Sequence, residues 1–147
     1  MKKFKYLYFI AAASAFLFYS CSKKNNPTPL APVVSLKFND TSFSTTNLTV
    51  TSTADTTLID GQFVANGYIT INIPHAKVGS YDLATSGAAI HFADAAGPLY
   101  LYTATSGTLV VTALTSTTIS GTFAVSAANE AHTNKTITSG QFQANLP

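Results

Sequence analysis

Few residues in this chain are equipped to do chemistry, and the one with the sharpest context is Cys21. It is the only cysteine among 147 residues, and it stands in Ser20-Cys21-Ser22 directly after an uncharged apolar run, Tyr6 to Tyr19. Lys2, Lys3 and Lys5 precede that run. A positive start, an apolar stretch, a small residue and a lone thiol is the order of a bacterial lipoprotein signal. The expected chemistry is acylation: the thiol takes a diacylglycerol and the amine freed by cleavage takes a further acyl chain. Each buried CH₂ contributes roughly 0.8 kcal/mol, and two or more chains anchor stably where a single one does not. The apolar run is shorter than the roughly 20 residues a spanning helix needs, so it reads as a signal and not as a transmembrane anchor. Of the lipobox positions Phe18, Tyr19 and Ser20, only Ser20 fits the usual pattern of Leu, a small residue, then Gly, Ala or Ser.

The remaining reactive groups are sparse. His75, His91 and His132 are the only imidazoles, and there is no arginine. His91 and Asp94 can meet across the turn after Phe92, which would orient an imidazole by a carboxylate and suggests a hydrolase as an alternative function. Without a nucleophile or a third converging group, the simpler reading is a surface histidine beside a turn aspartate. Glu130 and His132 supply only two ligands, too few to hold a metal. No catalytic residue, metal site or cofactor is therefore assigned. Tyr68, Tyr81, Tyr100 and Tyr102 offer amphipathic rings on which sugars can stack. Tyr100 and Tyr102 share strand parity and so are expected on one sheet face, as a ligand-binding pair or as cross-strand packing.

Charge excludes one class of partner. Beyond the segment of Lys2, Lys3 and Lys5, five lysines face six carboxylates; from Val33 onward it is three (Lys37, Lys77, Lys135) against six, or −3. Nucleic-acid binding needs a basic stripe, and bidentate phosphate recognition needs arginine; neither is present. With Cys21 committed to lipid, no disulfide can form within the chain.

The elements that must carry these groups divide into three parts. Residues 1–20 are the signal peptide. Residues 21–32 are the acylated cysteine and a tether, Ser22 to Pro32, whose prolines keep it extended and out of any ladder. Lys23 and Lys24 in it can meet anionic headgroups. Residues 33–147 form one domain, large enough for a core without staples. Its β-branched and aromatic runs, broken by Gly and Asn-Gly, show no helical period and predict about nine or ten short antiparallel strands in an all-β sandwich or partly closed barrel.

The predicted strands run Val33 to Phe38, Thr41 to Thr51, Leu58 to Ala65, Tyr68 to Ile73, Val78 to Leu83, Ala89 to Ala93, Leu99 to Ala104, Gly107 to Leu114, Thr118 to Ser126 and Thr136 to Leu146. Asn66-Gly67 predicts a type I′ hairpin with positive φ at both residues. Pro74 ends its strand or confines it to an edge. Ala127 to Asn134 reads as a polar loop. Ile59, Phe63, Ile69, Ile71 and Ile73 share an inward parity, as do Leu109, Val111, Ile119, Phe123 and Val125. In the last strand that parity switches between Ile137 and Phe142, which predicts a β-bulge at Ser139-Gly140. A Gly-x-Phe triplet recurs at Gly61, Gly121 and Gly140.

Lys37–Asp40, Val78–Leu83, Gly107–Val111, Ile119–Val125 and Ile137–Phe142 occur in an order that resembles a family of small Bacteroidota envelope lipoproteins with an all-β domain. The relaxed lipobox is similar to those of that phylum. The resemblance implies an envelope domain and carries over no catalytic residue. Many members have an aromatic residue, often Trp, in the second strand, where this chain has Phe43. Some surface-exposed lipoproteins of the phylum carry an acidic run after the acylated cysteine; Ser22-Lys23-Lys24-Asn25 lacks it, which leaves the periplasmic face of the outer membrane as open as the surface. Asp55-Thr56-Thr57 resembles the O-glycosylation sequon of the same group, with Thr56 as the acceptor. The function expected is a lipid-anchored, non-enzymatic envelope protein with a binding or structural role, whose partners are the membrane and an envelope protein or glycan, and not nucleic acid.

Overall fold

The computed structural model describes residues 31–94, 100–131 and 133–147, the side chain of Ala65 excepted. The expected signal peptide, Cys21, the expected tether up to Leu30, residues 95–99 and His132 lie outside them. The chain forms β1 (Val33–Phe38), β2 (Thr41–Thr45), β3 (Leu48–Ser52), β4 (Thr56–Gln62) and β5 (Tyr68–Pro74). It continues through β6 (Gly79–Asp82), β7 (Ala89–Ala93), β8 (Leu101–Leu114), β9 (Thr118–Ala128) and β10 (Asn134–Asn145). All pairings are antiparallel, in the order β2-β1-β10-β9-β8-β7-β5-β4-β3, with β6 on β8. Of the two expected architectures the sheet takes the barrel, nearly closed on itself.

Alternation explains the core. Val34, Leu36 and Phe38 of β1, Ile59 of β4, and Ile69, Ile71 and Ile73 of β5 point inward and are buried. So do Leu109 and Val111 of β8, Ile119, Phe123 and Val125 of β9, and Phe142 and Ala144 of β10. The two inward-parity sets expected from the sequence are both correct. Outward positions are mostly Thr, Ser, Asn and Gln, so the barrel is apolar inside and hydroxyl-bearing outside, the reverse of a membrane-spanning barrel. Among the described residues no helix is long and apolar enough to cross a membrane.

One end of the interior is filled by aromatic rings. Phe92 lies 4.8 Å from Phe38, 5.1 Å from Phe43 and 5.9 Å from Phe63, centroid to centroid. Phe38 in turn meets Tyr102 edge-on at 5.0 Å. Offset and edge-on contacts of this kind contribute about 0.5–1.5 kcal/mol each beyond their area.

The predicted bulge is present. Ile137 faces Val125 and Gly140 faces Phe123, so β10 carries one residue more than β9 over that step, and Ser139 takes φ 52°. The same extra residue offsets β10 against β1 between Ser35 and Lys37. Beside it, two of the Gly-x-Phe triplets lie antiparallel and interlock. Phe142 pairs with Gly121, and Phe123 with Gly140. A Cβ on Gly121 would overlap the Phe142 ring, and one on Gly140 would overlap the Phe123 ring. Each glycine makes the space that the other strand's phenylalanine fills. The third triplet does something else: Gly61 is hemmed by Thr45, Leu48 and Ile69.

Several boundaries differ from expectation. Thr41–Thr51 is not one strand but β2 and β3, broken at Thr46-Asn47, where Leu48 N–H donates to Thr46 O at 3.1 Å and bends the chain. The switch of apolar parity from Phe43 to Leu48 and Val50 marks that break only faintly in a Thr-rich run; it arises because β2 pairs with β1 while β3 must pair with β4. The two segments read from the sequence as ending at Ala104 and starting at Gly107 are one strand, β8, which takes a bulge near Thr105 and passes through Gly107 at φ 120°. Strand β9 extends through Ala127, which is buried, so the following loop is shorter than the polar composition implied.

The Asn66-Gly67 hairpin forms, but not as a type I′ turn. Strand β4 ends at Gln62, a 3-10 turn covers Val64–Asn66, and Phe63 N–H donates to Gly67 O at 2.8 Å. Asn66 has φ 63°, whereas Gly67 is extended at φ −75°. Gly67 is required for space: a Cβ there would stand 2.9 Å from Ala93 O of β7.

Candidate functional site

The tyrosines separate. Tyr102 is buried, its ring against Phe38, while Tyr100 is 49% exposed just before β8. Shared parity does not bring them to one surface, because Tyr100 precedes the paired part of the strand and Tyr102 sits opposite Phe92 in the aromatic end of the core. Burial pushes the Tyr102 phenol above its ordinary value, and the negative charge of Asp94 and the neighbouring Tyr100 push it further. Tyr81 is buried too; its hydroxyl accepts from Lys77 N–H at 2.8 Å and donates toward Lys77 O at 3.1 Å, fastening the turn after β5. Tyr68, 39% exposed, is left on the outer face at the start of β5.

The hydrolase pair does not assemble. The imidazole of His91 points outward from β7 and shares a hydrogen bond with Thr103 Oγ1 at 3.1 Å. Asp94 has one buried carboxylate oxygen without a hydrogen-bond partner among the described residues, and no ion pair joins it to His91. His75 follows β5 at φ 43°, with Nδ1 3.9 Å from Asp55. Among the described residues no group of three metal-ligating side chains occurs. Thr56 opens β4, half-buried, and its hydroxyl donates to Asn72 Oδ1 at 2.6 Å, so a glycan on Thr56 would have to replace that bond.

Polar groups instead collect at the corner between β2 and β3. Thr45 turns inward, donates through Oγ1 to Gln62 O at 2.6 Å, and accepts from Asn47 N–H at 3.1 Å. Gln62 N–H donates to Asn47 O at 3.1 Å, and the Asn47 side-chain amide donates to Gln62 Oε1 at 3.3 Å. These bonds satisfy the backbone that a change of strand partner would leave open. Two open depressions adjoin this Asn47–Gln62 bridge. One, about 480 Å³, runs along Ser44 to Asn47 toward Val64; the other, about 380 Å³, lies over Thr49, Asp60, Gln62, Tyr68 and Thr70.

The second depression is a patch of outer sheet face. Thr49 stands beside Asp60, Asp60 beside Thr70, and Gln62 beside Tyr68. Thr70 Oγ1 donates to Asp60 Oδ1 at 2.7 Å. The outward parity of Asp60 and Gln62 against Ile59 was legible in the sequence. That Asn47 would join them was not, because it depends on the break inside the second predicted strand.

A family model described as a domain of unknown function (DUF6252) matches residues 31–145. No curated protein and no solved structure matches the chain.

Proposed function

We propose that this chain, which belongs to the DUF6252 family of domains of unknown function, is a cell-envelope protein held at the outer membrane by acyl chains on Cys21. Its barrel has a binding or structural role and performs no catalysis. The observation that supports this best is the polarity of the barrel. Strand β1 starts beside Gln143, near the C-terminal end of β10, and Leu146 N–H donates to Thr117 O in the β8–β9 turn. The tether therefore joins the end that carries the turn at Thr115–Thr118. The β4–β5 loop, Tyr100 and the β9–β10 loop belong to the other end, together with the exposed Val64 and Tyr68. A domain tied down at residues 21–32 would hold that end away from the lipid, toward a partner.

The outer face adds to the reading: among the described residues the strands carry mostly hydroxyls outward and apolar groups inward, the opposite of a lipid-facing barrel wall, which supports attachment through the tether. The test is fractionation of the native host expressing the wild type or Cys21→Ala. The wild type should sediment with membranes and leave them only in detergent, and the variant should appear in the soluble envelope fraction. Equal distribution of the two would overturn the anchor.

A further inference from the structure

We propose that the depression over β3, β4 and β5 is a binding site for a neutral oligosaccharide, with one sugar ring on Tyr68 and its hydroxyls held by Asp60, Gln62, Asn47 and Thr49. This specifies the binding role in the reading above, and it holds or fails independently of the lipid. Three features carry it.

First, the required groups converge. Gln62 and Tyr68 are directly paired, and Asp60 is two residues along β4, so the carboxylate is diagonal to the ring. Diagonal neighbours stand about 7–8 Å apart, close enough to engage opposite edges of one sugar. Tyr68 offers a partly exposed ring to the C–H face of such a sugar.

Second, the polar groups have capacity left. Asp60 uses Oδ1 to accept from Thr70, which fixes the carboxylate and leaves its other oxygen without a partner among the described residues. The Asn47–Gln62 bridge uses one amide donor and one acceptor, leaving the Asn47 carbonyl oxygen and the Gln62 NH₂ without described partners. Thr49 adds an exposed hydroxyl. Together these offer donors and acceptors side by side, which suits hydroxyls because each hydroxyl both donates and accepts.

Third, charge selects the ligand class. Asp60 is the only ionisable side chain other than Tyr68 in the lining, and no lysine contributes to it. Phosphorylated, sulfated or uronic-acid ligands would meet a carboxylate without a compensating cation. A volume of about 380 Å³ is at the small end of ligand sites, which run roughly 300–1,000 Å³, and the open shape suits a chain lying across it. The tyrosine pair expected from the sequence, Tyr100 and Tyr102, does not contribute.

The test is calorimetric titration of the full chain, purified in detergent, with maltohexaose, cellohexaose, xylohexaose and chitohexaose, and with polygalacturonate as the anionic control. At least one neutral hexasaccharide should bind saturably and the polyanion should not. Tyr68→Ala and Asp60→Asn should each weaken that binding at least tenfold, with unchanged melting temperature, and Gln62→Ala should weaken it less. Thr112→Ala, an exposed position on β8, should bind as the wild type does. The proposal is overturned if no neutral hexasaccharide binds, if the polyanion binds in preference, or if Tyr68→Ala and Asp60→Asn bind normally. Saccharide binding by a chain without acyl groups would remove the anchor and leave this site standing; an acylated chain that binds none of the sugars would do the reverse.

Discussion

Strands β9 and β10 and the corner between β2 and β3 each keep a stretch of barrel wall continuous, by opposite means. In the wall, the strands pair over ten positions from Asn134–Ala128 to Asn145–Thr118, and the interlocked Gly121–Phe142 and Phe123–Gly140 pairs fix the register from the inside. At the corner, five-residue strands change partners, and continuity rests on hydrogen bonds among Thr45, Asn47 and Gln62. The wall is determined by shape and has little spare chemistry on its inner side. The corner is determined by polar contacts, and because one of them joins the side-chain amides of Asn47 and Gln62, part of each amide is left without a partner among the described residues. We infer that stability is concentrated in the first region, while the saccharide site proposed above lies beside the second.

If the division is right, mutations should separate the two. The largest effect is expected from Phe142→Ala, which empties a buried site on the wall and should cost about 3–5 kcal/mol in urea unfolding. Next is Gly121→Ala, which adds a single methyl but drives it into both Val110 O of β8 and the Phe142 ring; overpacking of this kind should cost about 1–3 kcal/mol. The double variant Gly121→Ala/Phe142→Ala should lose less than the sum, because the overlap with the ring disappears while that with Val110 O remains. Additive losses would mean the pair does not interlock. At the corner, Thr45→Val keeps the shape but removes the bonds through Oγ1, and about 1–2 kcal/mol is expected.

The smallest effect concerns pH. The Tyr102 phenol is shifted upward by burial first, then by Asp94 and Tyr100, so the folded state favours its protonated form. That contribution is complete below the unfolded phenol value, near pH 10, and is lost as pH rises through the higher folded value. Stability of the wild type should therefore fall on going above about pH 10 more steeply than that of Tyr102→Phe, measured by urea midpoints across the alkaline range.

The sequence revealed the wall better than the corner, for a physical reason. A parity switch from Ile137 to Phe142 can be restored by one extra residue, so the bulge at Ser139-Gly140 was predictable from alternation alone. The Gly-x-Phe recurrence was visible, but its meaning required knowing that two copies lie antiparallel and in register. At the corner the apolar positions also switch parity, from Phe43 to Leu48 and Val50 across Thr46-Asn47. Thr and Ser fill both faces of the run and blur that signal, and the exchange of partners from β1 to β4 is what bends it. Asn66-Gly67 misled differently: the hairpin was right, but Gly67 serves the approach of Ala93 O and not the turn. Tyr100 and Tyr102 show that parity assigns faces only within paired strand, and Tyr100 lies one residue before it. The acylation proposed at Cys21 rests on sequence alone, on a pattern of charge, apolar run and thiol.

The anchor is tested most directly by intact-mass spectrometry of the protein extracted from membranes of its own host. The account predicts a chain beginning at Cys21 and heavier than its polypeptide by a diacylglyceryl group and one further acyl chain, with base hydrolysis releasing ester-linked fatty acids. A chain of unmodified polypeptide mass, recovered without detergent, would contradict it.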